Sequence, residues 1–242
     1  MKMLDLFSGI GGFSLAARWA GIDTVAFCEK DTYCQKVLKK NFPEIPIFSD
    51  IKKLKRSDIN GTTDIITGGF PCQPFSIAGR KKGTEDDRDL WPEMLRVIQE
   101  YQPTWVVGEN VANFVSMAFQ RTKTNLESEG YEVQPFIIPA CCVNAPHKRD
   151  RVWIVAYANN KRFSRFQQPN PNTVQSRKKT RFTLGGFNYD YEMGYPNIPK
   201  SIRVDDGIPP RLGRVNRVKG LGNAIVPQVA YQILKGIKEI EK

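Results

Sequence analysis

The chain has 242 residues, 40% hydrophobic and 25% charged, with 36 Lys+Arg against 25 Asp+Glu and a formal net charge of +11. That balance describes a folded chain with one substantial core and excludes a disordered or fibrous one. No apolar run reaches the roughly 18 residues that span a bilayer. The opening MKMLDLFSGIGGF meets Asp5 and a glycine cluster at once, so neither secretion nor membrane insertion is expected, and the cytoplasm is the expected compartment. Cys28, Cys34, Cys72, Cys141 and Cys142 form no C-x-x-C pattern and are odd in number, which suits a reducing compartment. His147 is the only histidine, which argues against a Ser-His-Asp triad or a His-rich zinc site, and no metal is expected.

In chain order, KMLDLF predicts a strand that runs into Ser-Gly. Residues 12–20 have helical spacing, with Phe13, Ala16, Ala17 and Ala20 on one face. Residues 24–28 read as a second strand, Asp31 as the N-cap of a helix through about Asn41, and IPIF as a third strand-like run. Residues 64–67 are the next buried strand, 89–101 a helix, 105–108 a strand and 122–130 a helix. Residues 133–142 and 151–157 are expected to be extended. Val226, Ala230, Ile233, Ile237 and Ile240 recur at helical spacing behind Pro227, predicting a last helix that packs on the core. Such alternation predicts a largely parallel sheet with helices on both faces. Composition changes after residue 157: residues 158–220 carry 13 Lys+Arg and 4 Asp+Glu, interleaved with seven Phe and Tyr. A basic, aromatic lobe of this kind favours a polyanion partner. The expected division is a catalytic and cofactor-binding domain over 1–157, a recognition lobe over 158–211, and a C-terminal segment over 212–242.

Chemistry-bearing residues recur where strands end. DLFSGIGGF carries a strand into a glycine-rich turn that opens a helix, where unpaired N–H groups suit an anionic group such as a methionine carboxylate. Its spacing, Gly9-x-Gly11-Gly12, differs from the dinucleotide fingerprint G-x-G-x-x-G. Glu29 and Asp50 follow the next two strands; each either caps a helix or accepts hydrogen bonds from a nucleoside, and their register favours an adenosine-containing ligand at the carboxyl edge of the sheet. GGFPCQPFS presents Cys72 between Pro71 and Pro74, beyond the fourth strand, where a nucleophile belongs in an open α/β sheet. VVGENV places Glu109 after a buried strand, where desolvation raises a carboxyl pKa. Arg149 and Arg151 stand two apart at the start of another strand, an alternation that puts both on one face.

Taken together, DLFSGIGGF, Glu29, Asp50-Ile51, the Pro-Cys-Gln at 71–73, the Glu-Asn-Val at 109–111, the R-x-R at Arg149/Arg151 and GNAIVP at 222–227 occur in one order across nearly the whole chain. In this the sequence resembles the cytosine C5-specific DNA methyltransferases. The resemblance implies an α/β, Rossmann-like S-adenosylmethionine-dependent methyltransferase fold, a mostly parallel sheet with helices on both faces, plus a small irregular DNA-recognition lobe. It implies transfer of a methyl group from S-adenosylmethionine to C5 of a flipped-out cytosine in duplex DNA, leaving S-adenosylhomocysteine. Cys72 would attack C6, Glu109 would hold N3 and the amino group, Arg151 would contact O2, and Arg149 would stand near Cys72 and the DNA backbone. Phe7, Gly9, Ile10, Gly11 and Pro71 would line the cofactor's methionine and sulfonium region, with Glu29 on the ribose, Asp50 and Ile51 on adenine, and Asn223 near the methionyl end. Gln73, Ser76, Arg80, Lys81, Lys82 and Arg88, in a loop that resembles the family's DNA-closing loop, and Arg177, Lys178, Lys179 and Arg181 would contact DNA. The family's usual Gln ahead of the R-x-R is His147 here. A monomer is expected, and a cognate restriction endonuclease is compatible with the resemblance.

Three other readings stand beside it. A nicotinamide-dependent oxidoreductase accounts for the glycine turn and Glu29 but leaves Cys72, Glu109 and the basic lobe unexplained. A DNA-binding module with a decayed catalytic site conflicts with catalytic positions that are all filled. An RNA cytosine methyltransferase would use the same catalytic set.

Overall fold

The computed structural model describes residues 1–71, 89–145, 148–158 and 222–241, all within one compact unit. Cys72, Gln73, Ser76, Arg80, Lys81, Lys82, Arg88, His147, Arg177, Lys178, Lys179 and Arg181 lie outside these residues. Apolar runs form β1 (Lys2–Leu6), β2 (Asp23–Cys28), β3 (Ile47–Phe48), β4 (Ile65–Gly68) and β5 (Trp105–Val111), with β-branched residues in every strand but β1. β6 (Tyr131–Pro139) and β7 (Asp150–Ala158) complete a seven-stranded sheet in the order β3-β2-β1-β4-β5-β7-β6. The first five strands pair in parallel, whereas β7 runs antiparallel to both β5 and β6. The expected largely parallel sheet is therefore present, with one reversed strand.

Period-two alternation sorts the strand side chains onto two covered faces. On one, Met3, Ile65, Val107 and Trp153 meet α1 (Gly12–Ala20) and α6 (Pro227–Ile240) through Phe13, Ala16, Ala17, Val229, Ala230, Leu234 and Ile237. On the other, Leu4, Leu6, Ile66, Val106, Val152 and Ile154 pack against α3 (Trp91–Tyr101) and α5 (Phe119–Ser128), among them Met94, Val97, Ile98 and Leu126. A short α4 (Phe114–Met117) precedes α5. Asp31 caps α2 (Thr32–Asn41), its carboxylate accepting from the N–H groups of Tyr33 and Cys34.

Four local expectations change. β5 continues through Glu109, Asn110 and Val111 because antiparallel pairing with β7 extends the ladder to Val111 opposite Arg151, so Glu109 lies within the strand. Cys141 and Cys142 belong to a 3-10 turn over Ala140–Val143, since β6 ends at Pro139. The buried stripe of α6 is Val229, Ala230, Leu234 and Ile237, leaving Ile233 at its margin and Ile240 exposed. Arg149 precedes β7 with φ +40, so strand alternation does not place it beside Arg151.

Candidate active site

The carboxyl ends of β1, β2, β3 and β4 converge on one rim of the sheet, the position where open parallel sheets present ligand-binding residues. Leaving β1, the chain takes left-handed conformations at Phe7, Gly9 and Gly11 before α1 begins. For Phe7 this is strained, a feature that recurs at functional turns. A side chain at Gly12 would place its Cβ 2.6 Å from the Cγ1 of Ile225, so only glycine admits the 222–226 segment against this turn. No side chain caps α1 and its first turn holds no acid, which leaves the helix start suited to an external anion.

Glu29, just beyond β2, reaches across that turn. Its carboxylate accepts from the N–H of Gly9 at 2.7 Å and of Asp31 at 2.7 Å. The capping role falls to Asp31, so Glu29 is not spent on the helix. Beyond β3, the Asp50 carboxylate accepts from the N–H of Lys52 at 3.0 Å while Ile51 is buried. Half-exposed Glu29 and Asp50 put two hydrogen-bond-accepting carboxylates just beyond neighbouring strands, with apolar Ile51 next in the chain, chemistry that fits a ribose and a purine better than a second anion. With the uncapped start of α1 for a carboxylate, the residues fit S-adenosylmethionine.

The second cluster is built by β5 and β7. Their register sets Glu109 diagonal to Arg151 on one face, and Arg151 Nε stands 2.9 Å from Glu109 Oε1. Glu109 is buried, and desolvation raises its pKa against the downward pull of Arg151 and Arg149. Its other oxygen faces Gly69, where an added Cβ would stand 3.5 Å from Oε2. Asn110 Nδ2 donates to the carbonyl of Phe70 at 3.1 Å, tying β5 to the segment that ends in exposed Pro71, directly before Cys72. Arg149 turns elsewhere: its Nη2 donates to the carbonyls of Gly222 at 2.8 Å and Ala224 at 2.7 Å. Exposed Asn223 lies between those two anchors, and Ile225 then meets Gly12. The 222–226 segment thus runs from Arg149 to the glycine-rich turn.

Sequence reasoning missed a buried network beneath this turn. Asp5 accepts from Ser14 Oγ at 2.8 Å and Thr67 Oγ1 at 3.1 Å, and Thr24 Oγ1 donates to Ser14 Oγ at 3.0 Å. It joins β1, β2, β4 and α1. Asp5 and Thr67 inside apolar strands, and Ser14 on an otherwise apolar helix face, were the signal. Among the described residues no cluster of His, Cys, Asp or Glu is arranged to hold a metal, and no helix is long and apolar enough to cross a membrane.

The family description "C-5 cytosine-specific DNA methylase" matches residues 1–199. The chain is 35% identical over 176 residues to Type II methyltransferase M.HhaI of Haemophilus parahaemolyticus, covering 71% of this chain and 53% of that protein. It is 36% identical over 165 residues to Type II methyltransferase M.Eco47II of Escherichia coli, covering 65% and 40%. It therefore spans about half the length of the curated relatives it matches. Among solved structures, a Spodoptera frugiperda DNMT2 mutant aligns with TM-score 0.56 and 25% identity over 70% of this chain and 52% of its own. A putative DNA modification methyltransferase encoded within an E. coli prophage aligns with TM-score 0.54 and 26% identity, covering 65% and 47%. With a match over residues 1–199 and a seven-stranded, mostly parallel sheet, the chain belongs to the C-5 cytosine-specific DNA methylase family.

Proposed function

We propose that this chain is a DNA (cytosine-5-)-methyltransferase that uses S-adenosylmethionine and acts on a cytosine flipped out of duplex DNA. The observation that carries this reading is the pair of buried Glu109 with half-buried Arg151, joined through Asn110 and Phe70 to the strand end that precedes Cys72. Glu29 and Asp50 stand on the neighbouring strand ends of the same rim.

C5 of cytosine is a poor nucleophile. The Cys72 thiolate adds to C6, and the electron pair of the C5–C6 double bond passes to C5 as an enamine. Glu109, whose carboxyl pKa is raised by burial, is the acid that donates to N3 and accepts from the exocyclic amine, so charge entering the ring is met by a fixed group. Arg151 contacts O2 while holding Glu109 in place. Phe7, Gly9, Ile10, Gly11, Glu29, Asp50, Ile51, Pro71 and Asn223 would hold S-adenosylmethionine, which would supply the electrophilic methyl group to C5 by cleavage of its sulfonium S–CH3 bond, leaving S-adenosylhomocysteine. C5 then loses its proton to solvent, the C5–C6 double bond re-forms, and the Cys72 thiolate leaves. Arg149 acts by fixing the 222–226 segment against the glycine-rich turn.

DNA contacts are assigned to Gln73, Ser76, Arg80, Lys81, Lys82 and Arg88, and to Arg177, Lys178, Lys179 and Arg181 in the recognition lobe over 158–211. Residues 1–157 and 212–242 form the catalytic part. The chain is taken to act as a monomer. A cognate restriction endonuclease and a cytoplasmic site of action belong to the same proposal, alongside relatives named as Type II methyltransferases.

The test incubates the chain with methyl-tritiated S-adenosylmethionine and either duplex DNA or RNA. Label in 5-methylcytosine of DNA is expected, and Cys72→Ser is expected to lose turnover by about 10³-fold or more. Its binding of S-adenosylhomocysteine is expected to stay within about threefold of the parent. Label confined to RNA, or undiminished turnover in Cys72→Ser, would overturn the assignment.

A further inference from the structure

Arg96, on α3, belongs to none of the motifs above, yet it grips the turn that carries Asp50 and Ile51. Its Nη2 donates to the carbonyl of Ile51 at 2.6 Å and its Nη1 to the carbonyl of Leu54 at 3.0 Å. On its own helix the guanidinium is held by Glu93, 3.0 Å from Nε, and by Glu100, 2.6 Å from Nη1. A planar fork braced in this way presents its remaining donors in a fixed direction, which a lysine ammonium does not.

The turn has little else to fix it from the sheet. β3 contributes only Ile47 and Phe48, paired with Phe27 and Cys28 at the sheet margin. Within the turn, Lys53 N–H donates to the Asp50 carbonyl at 3.1 Å and Leu54 N–H to the Ile51 carbonyl at 3.3 Å. These bonds leave its carbonyl end open to a cation, and Arg96 meets it there. α3 adds two contacts further along: Tyr101 Oη donates to the Lys55 carbonyl at 2.8 Å, and Glu100 accepts from the Arg56 N–H at 3.2 Å. The guanidinium also acts on the same ground as the two rim acids. The buried Cys28 thiol is pushed up to about 12, chiefly by desolvation, with Glu29 and Asp50 adding to the rise and Arg96 opposing it.

We propose that Arg96 is a positioning residue for nucleoside recognition: its fork locks the Asp50–Leu54 turn so that the Asp50 carboxylate and the Ile51 side chain are presented to the purine of the cofactor, setting purine affinity and selectivity without touching the ligand. The proposal rests on the reading above that Asp50 and Ile51 hold adenine.

The test measures equilibrium binding of S-adenosylhomocysteine and of S-inosylhomocysteine, whose purine bears a carbonyl in place of the amino group. It uses the full chain and its variants, with KM for S-adenosylmethionine and kcat measured on duplex DNA. Arg96→Met is expected to weaken adenosyl binding and raise KM by about tenfold, with kcat at saturating cofactor within about threefold. Preference for the adenosyl over the inosyl ligand should shrink in the same variant. Arg96→Lys, which reaches one carbonyl, should recover part of the loss, and it carries the test if Arg96→Met does not fold. Glu93→Gln removes an intrahelical ion pair but leaves both carbonyl contacts, and should bind within about twofold of the parent. Combining Arg96→Met with Asp50→Asn should be no weaker than the weaker single variant, as expected for residues acting through one contact. Unchanged binding in Arg96→Met, full additivity with Asp50→Asn, or an equal loss in Glu93→Gln would overturn the positioning role while leaving the cofactor site intact. A parent chain that binds both ligands alike, or an Asp50→Asn variant without effect, would overturn the adenine assignment and this proposal with it.

Discussion

Asp5 lies wholly buried beneath α1, and desolvation outweighs its hydrogen bonds to Ser14 and Thr67, so its pKa rises from 3.8 to about 7. The folded chain therefore keeps a proton that the unfolded chain has already released. Stability from this group is whole below the unfolded pKa and is lost as pH rises through about 7. Replacing it with a permanently neutral amide isolates the effect. The stability advantage of the parent over Asp5→Asn should shrink between about pH 4 and about pH 8, by up to roughly 4 kcal/mol. Denaturant unfolding across that range checks this, and a difference that stays flat with pH contradicts it. Glu109 is raised by the same cause but has a different purpose, because it stands at the rim beside Arg151. Glu109→Gln keeps a donor and an acceptor but loses the acidic group and its ion pair with Arg151. Its turnover on duplex DNA should fall by about 10²-fold or more, with S-adenosylhomocysteine binding preserved.

At the scale of elements, the site depends on two long-range contacts. Antiparallel pairing of β5 with β7 sets Glu109 diagonal to Arg151, and the 222–226 segment joins Arg149 to the glycine-rich turn. The second contact is tight enough to test by volume. In Gly12→Ala the new Cβ would meet Ile225 Cγ1 at 2.6 Å. The variant should lose about 1–3 kcal/mol of stability through overpacking and bind S-adenosylhomocysteine more weakly. Adding Ile225→Ala should restore much of both losses in thermal unfolding and titration. An additive double variant would separate Gly12 from this segment.

For the whole molecule, charge and chemistry occupy different parts of the chain. Of the net +11, a surplus of +9 lies in residues 158–220, whereas the assigned catalytic groups lie in residues 72–151. A polyanion bound through that lobe releases counterions. Neutralising Arg177, Lys178, Lys179 and Arg181 together should lower the slope of log affinity for duplex DNA against log salt by up to about 3–4. Fluorescence anisotropy at several salt concentrations measures it, and an unchanged slope would remove the lobe from the interface. The cofactor titration should be indifferent to the same changes.

Much of this was legible in the residues themselves. The glycine-rich turn, the Asp31 cap, Glu29 and Asp50 after successive strands, and the alternation of strand and helix all follow from local preference and period, which act over a few neighbouring residues. What local order could not decide was where distant segments meet. Arg149 and Arg151 are two apart, yet a left-handed backbone sends one to Gly222 and Ala224 and the other to Glu109. Asp5, Ser14 and Thr67 read as unrelated polar residues until β1 and β4 pair and α1 folds over them. Arg96 reads from the chain only as the helical neighbour of Glu93 and Glu100, because the carbonyls it grips lie 42 and 45 residues away. Chain order thus determined which chemical groups stand at the sheet rim, and tertiary packing alone decided which of them touch, since hydrogen bonds and ion pairs depend on distances in space that sequence separation does not encode.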